Sequence, residues 1–216
     1  MSNVPAELVR NSSDEEAIKY GCYYDQNEAD KVIHFLESTC KLSKGTAYTK
    51  AGDYMQLIPW QTDLCRRLYG WRWPDGRRRF QEVYLSTSKK AGKSTTEAGL
   101  GVYHLTSDGV ESAEVYSVAK DRPQAKITFE EAAKMIESSN ILGPQCKIKK
   151  SINLIEHLIT GSKWKVCPSN PEGLNGVNAS AILVDEFHVV KDEMKDRKST
   201  RLNSSHVSES RMPSSA

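Results

Sequence analysis

One stretch decides the fold of this chain: Thr87-Ser88-Lys89-Lys90-Ala91-Gly92-Lys93-Ser94-Thr95. It follows a short β-branched and aromatic run, Val83-Tyr84-Leu85, and opens into residues 96–103, which have helical character. A strand, a tight loop and a helix that starts at Gly-Lys-Ser form a phosphate-binding loop, because backbone N–H groups and the helix N-terminus then face the phosphates.

This loop predicts ATP and Mg²⁺ as cofactors. In such a loop Lys93 contacts the β- and γ-phosphates of ATP, and the Ser94 hydroxyl binds Mg²⁺. Thr87 stands where the strict G-x-x-x-x-G-K-[ST] pattern has its first glycine, so the loop alone is a weaker signal than the complete motif. The nucleotide contacts predicted from the loop are Thr87, Ser88, Lys90, Ala91, Gly92, Lys93, Ser94 and Thr95.

A second run, Ala181-Ile182-Leu183-Val184-Asp185-Glu186-Phe187-His188, follows about ninety residues later. Four consecutive apolar residues fit a strand buried on both faces of a parallel sheet, and open α/β sheets bind ligands at the C-terminal ends of their strands. Asp185 is predicted to hold Mg²⁺ through water, and Glu186 to polarise the water that attacks the γ-phosphate. The alternative is a core strand that ends in a solvated acidic turn. The order and distance of the two motifs favour an ATPase.

The composition is that of a somewhat polar globular protein with a formal net charge of +2. No apolar run approaches the length of a membrane span, and the polar residues 1–16 do not resemble a signal peptide. The five cysteines are scattered and form no C-x-x-C pair. This pattern favours reduced thiols in a cytosol over a disulfide framework or a zinc site.

Alternating elements surround the two motifs. Residues 113–119 have the character of a strand, and Pro123 starts a long helix at a position where proline is tolerated. Residues 152–159 and 163–167 are predicted to form a hairpin, followed by a loop over residues 168–176. This succession predicts an α/β fold of the RecA-like P-loop NTPase type, with a mostly parallel central sheet truncated after the acidic strand.

Residues 1–56 are predicted to be an N-terminal extension that is partly helical. Residues 1–25 are expected to be loosely ordered, and the spacing of apolar residues predicts a helix over 28–42 with Asn27 as its N-cap. A short helix over 62–69 and a turn over 70–74 complete the approach to the loop.

Two polar features near the loop have alternative interpretations. Gln61 can read the adenine edge, since an amide offers one donor and one acceptor, or it can be a surface residue at a helix N-terminus. The basic run Arg77-Arg78-Arg79 can face DNA phosphates or form a solvated turn, and the turn is the commoner arrangement.

Several stretches together carry a family resemblance: Ile58-Pro59-Trp60-Gln61, Leu68-Tyr69-Gly70-Trp71, the loop ending in Gly92-Lys93-Ser94, Val115-Tyr116-Ser117-Val118-Ala119 with Asp121-Arg122-Pro123-Gln124-Ala125, and Gly173-Leu174-Asn175-Gly176 before Val184-Asp185-Glu186-Phe187-His188. From residue 57 to about residue 190 the chain resembles the ATPase domain of the large terminase subunit of tailed double-stranded DNA bacteriophages. That subunit is the motor that packs DNA into procapsids.

The resemblance implies the roles given above for Lys93, Ser94, Asp185 and Glu186. It also implies that Lys89 helps to stabilise the γ-phosphate, at a position commonly occupied by arginine. Lysine keeps the charge there but lacks the planar fork that makes bidentate contacts.

The resemblance further implies double-stranded DNA, a portal protein and a small terminase subunit as partners. It implies a homo-oligomeric ring for the full-length protein, a place in the host cytoplasm and no membrane. A coupling motif, further sheet strands and a C-terminal nuclease domain follow the acidic strand in this family, and they are expected to be absent from this chain.

Residues 196–216 are expected to be a disordered, non-native tail. They are rich in serine and lack hydrophobic periodicity. The run from Asp196 to His206, and that from Ser210 to Ala216, match the translation of a common sequencing adapter codon for codon. Without this tail the chain has 26 basic and 26 acidic residues (30 − 4 and 28 − 2), so net charge gives no argument for a nucleic-acid partner.

The leading hypothesis is therefore a P-loop ATPase domain over residues 57–195 that belongs to a DNA-packaging motor. A helicase-like enzyme is the first alternative, because Asp185-Glu186-Phe187-His188 is close to an Asp-Glu-x-His box. A catalytically inactive nucleotide-binding fragment is the second.

Overall fold

The structure is a computed structural model that describes residues 3–45, 49–88, 90–119, 122–167, 178–185 and 205–206. At residues 122, 124, 205 and 206 it describes the backbone alone. The helices are α1 Ser12–Lys19, α2 Gln26–Thr39, α3 Pro59–Gly70, α4 Lys93–Thr106 and α5 Arg122–Ser138, with 3-10 turns at Ala6–Leu8, Gly143–Gln145 and Lys150–Ile152. The strands are β1 Tyr23–Tyr24, β2 Trp71–Arg72, β3 Val83–Tyr84, β4 Glu114–Val118, β5 Cys146–Lys149, β6 Leu154–His157, β7 Lys163–Cys167, β8 Ala181–Val184 and β9 Ser205–His206.

A five-stranded mixed sheet in the order β5-β6-β7-β4-β8 forms the centre of the fold. Strand β4 runs parallel to both β7 and β8, whereas β6 runs antiparallel to β5 and β7. The α/β prediction is confirmed, as are the predicted strand at 113–119, the long helix after it and the β6–β7 hairpin. The sequence did not predict β5, which makes the hairpin half of the sheet antiparallel.

Helix α4 packs closely on one face of this sheet. A Cβ atom at Gly101 would overlap the ring of Trp164 and approach Leu183, so only glycine fits this contact. Trp164 is fully buried, and its indole N–H donates to the Ser117 hydroxyl at 2.6 Å. The contact fixes the distance between α4 and the strands, and with it the position of the loop before α4.

Strand β3, which leads to the loop, pairs in parallel with β9. These two residues are the described part of the segment predicted to be a non-native tail. The prediction for the remainder of residues 196–216 falls outside the described residues.

Residues 3–25 contain a 3-10 turn, helix α1 and strand β1, which corrects the expectation of a loose segment for the described part of residues 1–25. Helix α1 is capped by Asn11, whose side chain accepts from the Asp14 N–H at 2.8 Å. Asp14 itself is buried and forms ion pairs with Arg67 and Arg79. These partners lie 53 and 65 residues further along the chain, so local sequence patterns could not reveal them.

Helix α2 begins earlier than predicted. Asp25, rather than Asn27, is its N-cap, and the Asp25 carboxylate accepts from the Glu28 N–H at 3.2 Å. The predicted apolar face is confirmed, since Val32 and Leu36 are fully buried.

The basic run before the loop is neither a DNA contact nor a solvated turn at two of its three positions. Arg79 is buried, pairs with Asp14 and lies 4.5 Å from the centroids of two rings, Trp71 and Phe80. Arg78 pairs with Asp108. Arg77 is exposed and pairs locally with Asp75 at 2.7 Å. Within this region Trp71–Arg72 forms β2, which pairs with β1, where the sequence predicted a turn.

Every helix in the described part of the chain is too short or too polar to span a bilayer.

Candidate active site

The phosphate-binding loop connects β3 to α4 through a tight bend. Lys90 and Gly92 both adopt positive φ angles, 67° and 86°. At Gly92 a side chain would be strained in this conformation and would also lie 3.2 Å from the Gln61 amide nitrogen. Helix α4 therefore starts at Lys93, within the Gly-Lys-Ser run where the sequence predicts the helix start. Lys93, Ser94 and Thr95 lie in its first turn, where N–H groups lack intrahelical acceptors and favour anions.

Lys93 and Asp185 meet across the site. The Lys93 ammonium lies 2.7 Å from an Asp185 carboxylate oxygen, and both side chains are partly exposed. Asp185 directly follows β8, and its backbone N–H donates to the Val118 carbonyl at 3.1 Å, which aligns it with the end of β4. The two residues are 92 positions apart (185 − 93) in the sequence. The structure thus brings the loop lysine and the first acidic residue of the second motif together.

An open cleft of about 740 Å³ lies over the loop. Its size is that of a small-molecule binding site. Lys89 and Glu186, two of the three predicted catalytic residues, lie outside the described residues, as does the loop over 168–176. The predicted residues that line the cleft are Thr87, Ser88, Lys90, Ala91, Gly92, Lys93, Ser94, Thr95, Gln61 and Asp185.

Gln61 is buried rather than on the surface, so the surface alternative is wrong. Its side-chain oxygen accepts from the Ile58 N–H at 2.9 Å, and its amide nitrogen donates to the Thr96 hydroxyl at 2.7 Å. Thr96 in turn donates to the Gly92 carbonyl at 2.9 Å. Gln61 thereby joins the start of α3 to the bend of the loop. The adenine contact stays a prediction.

One wall of the cleft comes from the segment predicted to be an N-terminal extension. Leu42 and Met55 line the cleft together with Ile58. Two backbone hydrogen bonds fold this segment back on itself, from the Leu42 N–H to the Asp53 carbonyl and from the Met55 N–H to the Cys40 carbonyl, both at 2.9 Å. Isolated apolar residues carry no sequence signal for such a wall.

Glu97 is a site residue that the sequence analysis missed. It lies one helical turn after Lys93, is 6% exposed, and neither carboxylate oxygen has a hydrogen-bond partner among the described residues. Burial, followed by the nearby negative charge of Asp185, raises the pKa of Glu97 to about 8, although Lys93 acts in the opposite direction. An acidic residue on the buried face of a predicted helix was the available signal.

Glu97 and Lys93 also border a small apolar cavity of about 50 Å³. Leu64, Leu68 and Leu100 form much of its wall. The carboxyl group therefore faces an environment that disfavours its charged form.

A strand, a glycine-bent loop, a helix that starts at Lys93 and a carboxylate at the end of a sheet strand define a P-loop nucleotide-binding protein of the α/β class. A family model, described as the ATPase domain of the terminase large subunit, matches residues 59–206, more than half of the chain. The chain belongs to this family.

Two relatives are similar to this chain, both from Enterobacteria phage HK97. A terminase large subunit is 26% identical over 168 residues, which are 77% of this chain and 32% of that protein. The crystal structure of the HK97 large terminase superposes with a TM-score of 0.64 at 23% identity, over 82% of this chain and 36% of that one, and supports the fold. This chain thus spans about a third of the length of these relatives. The family match does not favour the helicase-like alternative.

Proposed function

We propose that the cleft binds Mg²⁺·ATP and that this domain hydrolyses it to drive double-stranded DNA into a viral procapsid. The observation that carries the proposal is the approach of Lys93 to Asp185 at the open end of the loop, at 2.7 Å. One positive and one negative group side by side in the cleft support the binding of a nucleotide with its metal. The lysine pairs with phosphate, and the carboxylate pairs with the metal that accompanies phosphate.

The residues of the cleft fit a magnesium ion. The Asp185 carboxylate and the Ser94 hydroxyl both line it, and Mg²⁺ prefers oxygen ligands and usually keeps several waters. Bound Mg²⁺ would neutralise charge on the phosphates. Asp185 would hold the metal in place of its contact with Lys93, and Lys93 would then be available to the β- and γ-phosphates.

Two roles rest on sequence position. Glu186 follows Asp185 directly, and we propose that it polarises the attacking water. Lys89 lies in the loop between Ser88 and Lys90, and we propose that its charge stabilises the γ-phosphate. Leu42, Met55 and Ile58 supply an apolar wall suited to a base, and Gln61 lies at the same wall.

We propose for the full-length protein the wider setting that the family resemblance suggests. It consists of a homo-oligomeric ring in the full-length motor, contacts with a portal protein and a small terminase subunit, and work in the host cytoplasm. The 216-residue chain alone is expected to show little turnover, because such motors use a basic residue from a neighbouring subunit in the ring.

The test is Glu186→Gln in a native chain that continues into the rest of the motor. Glutamine keeps the shape but cannot accept a proton, so steady-state ATP turnover should fall at least about 100-fold, within the range of general-base catalysis. The affinity for a fluorescent ATP analogue should remain within about twofold of wild type, which is a small change in binding free energy. Glu111→Gln, at an exposed position far along the sequence from the loop, is the matched control. Unchanged turnover in Glu186→Gln would remove Glu186 from the mechanism.

A further inference from the structure

The hairpin half of the sheet presents a cluster of lysines on one face. Strands β5 and β7 each contain a Lys-x-Lys pattern, which places Lys147 and Lys149, and likewise Lys163 and Lys165, on the same side of the sheet. We call these four residues the lysine face. The register aligns Lys147 and Lys163 on either side of Glu156, and Lys149 and Lys165 on either side of Leu154.

The opposite side of the same strands belongs to the core. Ile148, Ile155 and Trp164 occupy the alternate positions and are aligned with one another across the three strands. Ile155 and Trp164 are fully buried. Packing on that side therefore fixes which way the lysines point, and a slip of one residue would bury them.

The lysine face carries more positive than negative charge. Glu156 lies among three lysines and contacts Lys149 at 2.7 Å. The hydrogen bond from Lys149 and the positive charges of Lys149, Lys163 and Lys147 hold the pKa of Glu156 below its usual value. The register places one further carboxylate in this row, Glu114 on β4, which accepts the Tyr116 hydroxyl at 3.0 Å. Four lysines thus face two glutamates.

This local excess of positive charge contrasts with the charge balance of residues 1–195 as a whole. Residues 1–195 contain equal numbers of basic and acidic side chains (26 and 26). The lysines lie on β5 and β7, on either side of β6, and two glutamates cannot balance the charge of four lysines, so a bound anion would relieve their remaining repulsion. Charge complementarity therefore points to a polyanion as the occupant.

We propose that the lysine face binds the phosphate backbone of double-stranded DNA. This inference rests on the proposed function, and it names the surface by which the domain contacts its DNA. Lysine ammonium groups are compact point charges without the planar fork that reads base edges. Phosphate contacts of this kind are independent of sequence, as a protein that moves along DNA requires.

The aromatic residues near the lysine face favour duplex over single-stranded DNA. Proteins that bind single strands stack bases on exposed aromatic rings. Here Tyr116 and Trp164 are both buried, and Lys165 lies 6.0 Å from the Tyr116 ring centroid. No ring of these strands is available to a base within the described residues.

The test measures the salt dependence of duplex binding. The double variant Lys147→Gln/Lys163→Gln removes the two exposed lysines, and the control Lys19→Gln/Lys31→Gln removes two exposed lysines from α1 and α2. Binding of a labelled 30-base-pair duplex of arbitrary sequence is followed by fluorescence anisotropy, using the 216-residue chain. A duplex of about 30 base pairs offers many phosphates, so the slope of log K against log salt counts the contacts.

We expect the lysine-face variant to lower the magnitude of that slope by about 2, close to one unit per lost phosphate contact, while the control keeps the wild-type slope. Equal slopes in the two double variants, or no duplex binding by the wild type, would overturn the proposal. An equal loss on a single-stranded oligonucleotide of the same length, with single-strand binding as tight as duplex binding, would also contradict it.

Two further measurements distinguish a failure of this proposal from misfolding of the variants and from a failure of the proposed function. Lys147→Arg/Lys163→Arg keeps both charges and should keep the wild-type slope, whereas a structural defect would not be rescued by arginine. ATP-analogue binding should be unchanged in all these variants, because the lysine face lies on strands that do not line the cleft. Loss of nucleotide binding by the wild type would defeat the proposed function and leave the salt slopes to decide the DNA surface.

Discussion

Two buried acidic residues, Asp14 and Glu97, differ in their hydrogen-bond partners and in the direction of their pKa shifts. Asp14 is 1% exposed, and its oxygens accept from Arg67, Arg79 and the Arg10 N–H. Burial alone would raise the pKa of Asp14, but hydrogen bonds from Arg79, the Arg10 N–H and Arg67 outweigh it, and the pKa is lowered. Glu97 is nearly as buried, has no such donors among the described residues, and its pKa is raised to about 8.

The difference distinguishes a structural carboxylate, Asp14, which we call the anchor, from Glu97, which lies next to the candidate active site. Asp14 holds α1 against α3 and the segment before β3, and its pairing is complete. Glu97 lies beside the lysine and the aspartate that are expected to exchange partners when nucleotide binds. An unpaired buried carboxyl group is unfavourable, and such groups cluster at functional sites.

The largest effect is expected from breaking the anchor. Asp14→Ala leaves the largely buried guanidinium groups of Arg67 and Arg79 without their counter-ion, which should lower the free energy of unfolding by about 3–5 kcal/mol. Chemical denaturation at neutral pH measures this loss. Asp63→Ala is the matched control, because the ion pair of Asp63 with Arg10 is largely exposed and should contribute at most about 1 kcal/mol. Similar losses in the two variants would show that Asp14 is no anchor.

A smaller effect of a different kind is expected from Glu97→Gln in the absence of nucleotide and metal. The folded state of the wild type keeps the Glu97 proton up to about pH 8, whereas the unfolded state releases it near pH 4.5. The folded state therefore binds more protons in this interval, and stability should fall as pH rises through it, by on the order of 1 kcal/mol per pH unit.

Glutamine does not titrate, so Glu97→Gln should lack this component of the pH dependence. Denaturation curves at pH 5.5, 6.5 and 7.5 compare the variant with the wild type. Glu111→Gln, at an exposed position, should keep the wild-type dependence. A wild-type slope in Glu97→Gln would mean that Glu97 is ionised, and so paired, in the folded protein. The stability that Asp14 contributes depends on pH in the opposite direction. It is present above the unfolded-state pKa of 3.8 and is lost as pH falls below that value toward the lowered pKa of the folded state.

The phosphate-binding loop, the acidic strand and Asp14 show what the sequence could and could not predict. The loop around Lys93 and the strand before Asp185 were predictable because glycine placement, strand character and motif order are local properties. The anchor was not, since Asp14 finds its arginines through contacts between distant segments. The pattern in Arg77-Arg78-Arg79 likewise indicated charge but could not show that Arg79 is buried against the rings of Trp71 and Phe80.

The site was predicted in part for the same reason. Residues in the loop were identified by their position in a motif. Glu97 and the apolar wall formed by Leu42 and Met55 belong to the site only through tertiary packing. Helix α2 gives a local example, because Asp25 and Asn27 are both acceptable caps, and the structure uses Asp25, which directly follows β1.

The central claim is that Lys93 and the loop bind Mg²⁺·ATP. The most direct measurement is a titration of the 216-residue chain with a fluorescent ATP analogue and Mg²⁺, comparing wild type, Lys93→Ala and the control Lys126→Ala, which removes a lysine outside the cleft. Lys126 is half-exposed and pairs with Glu130. The account predicts saturable binding that weakens at least about 10-fold in Lys93→Ala, equivalent to about 1.4 kcal/mol, and is unchanged in Lys126→Ala. Equal affinity in the wild type and Lys93→Ala would contradict it.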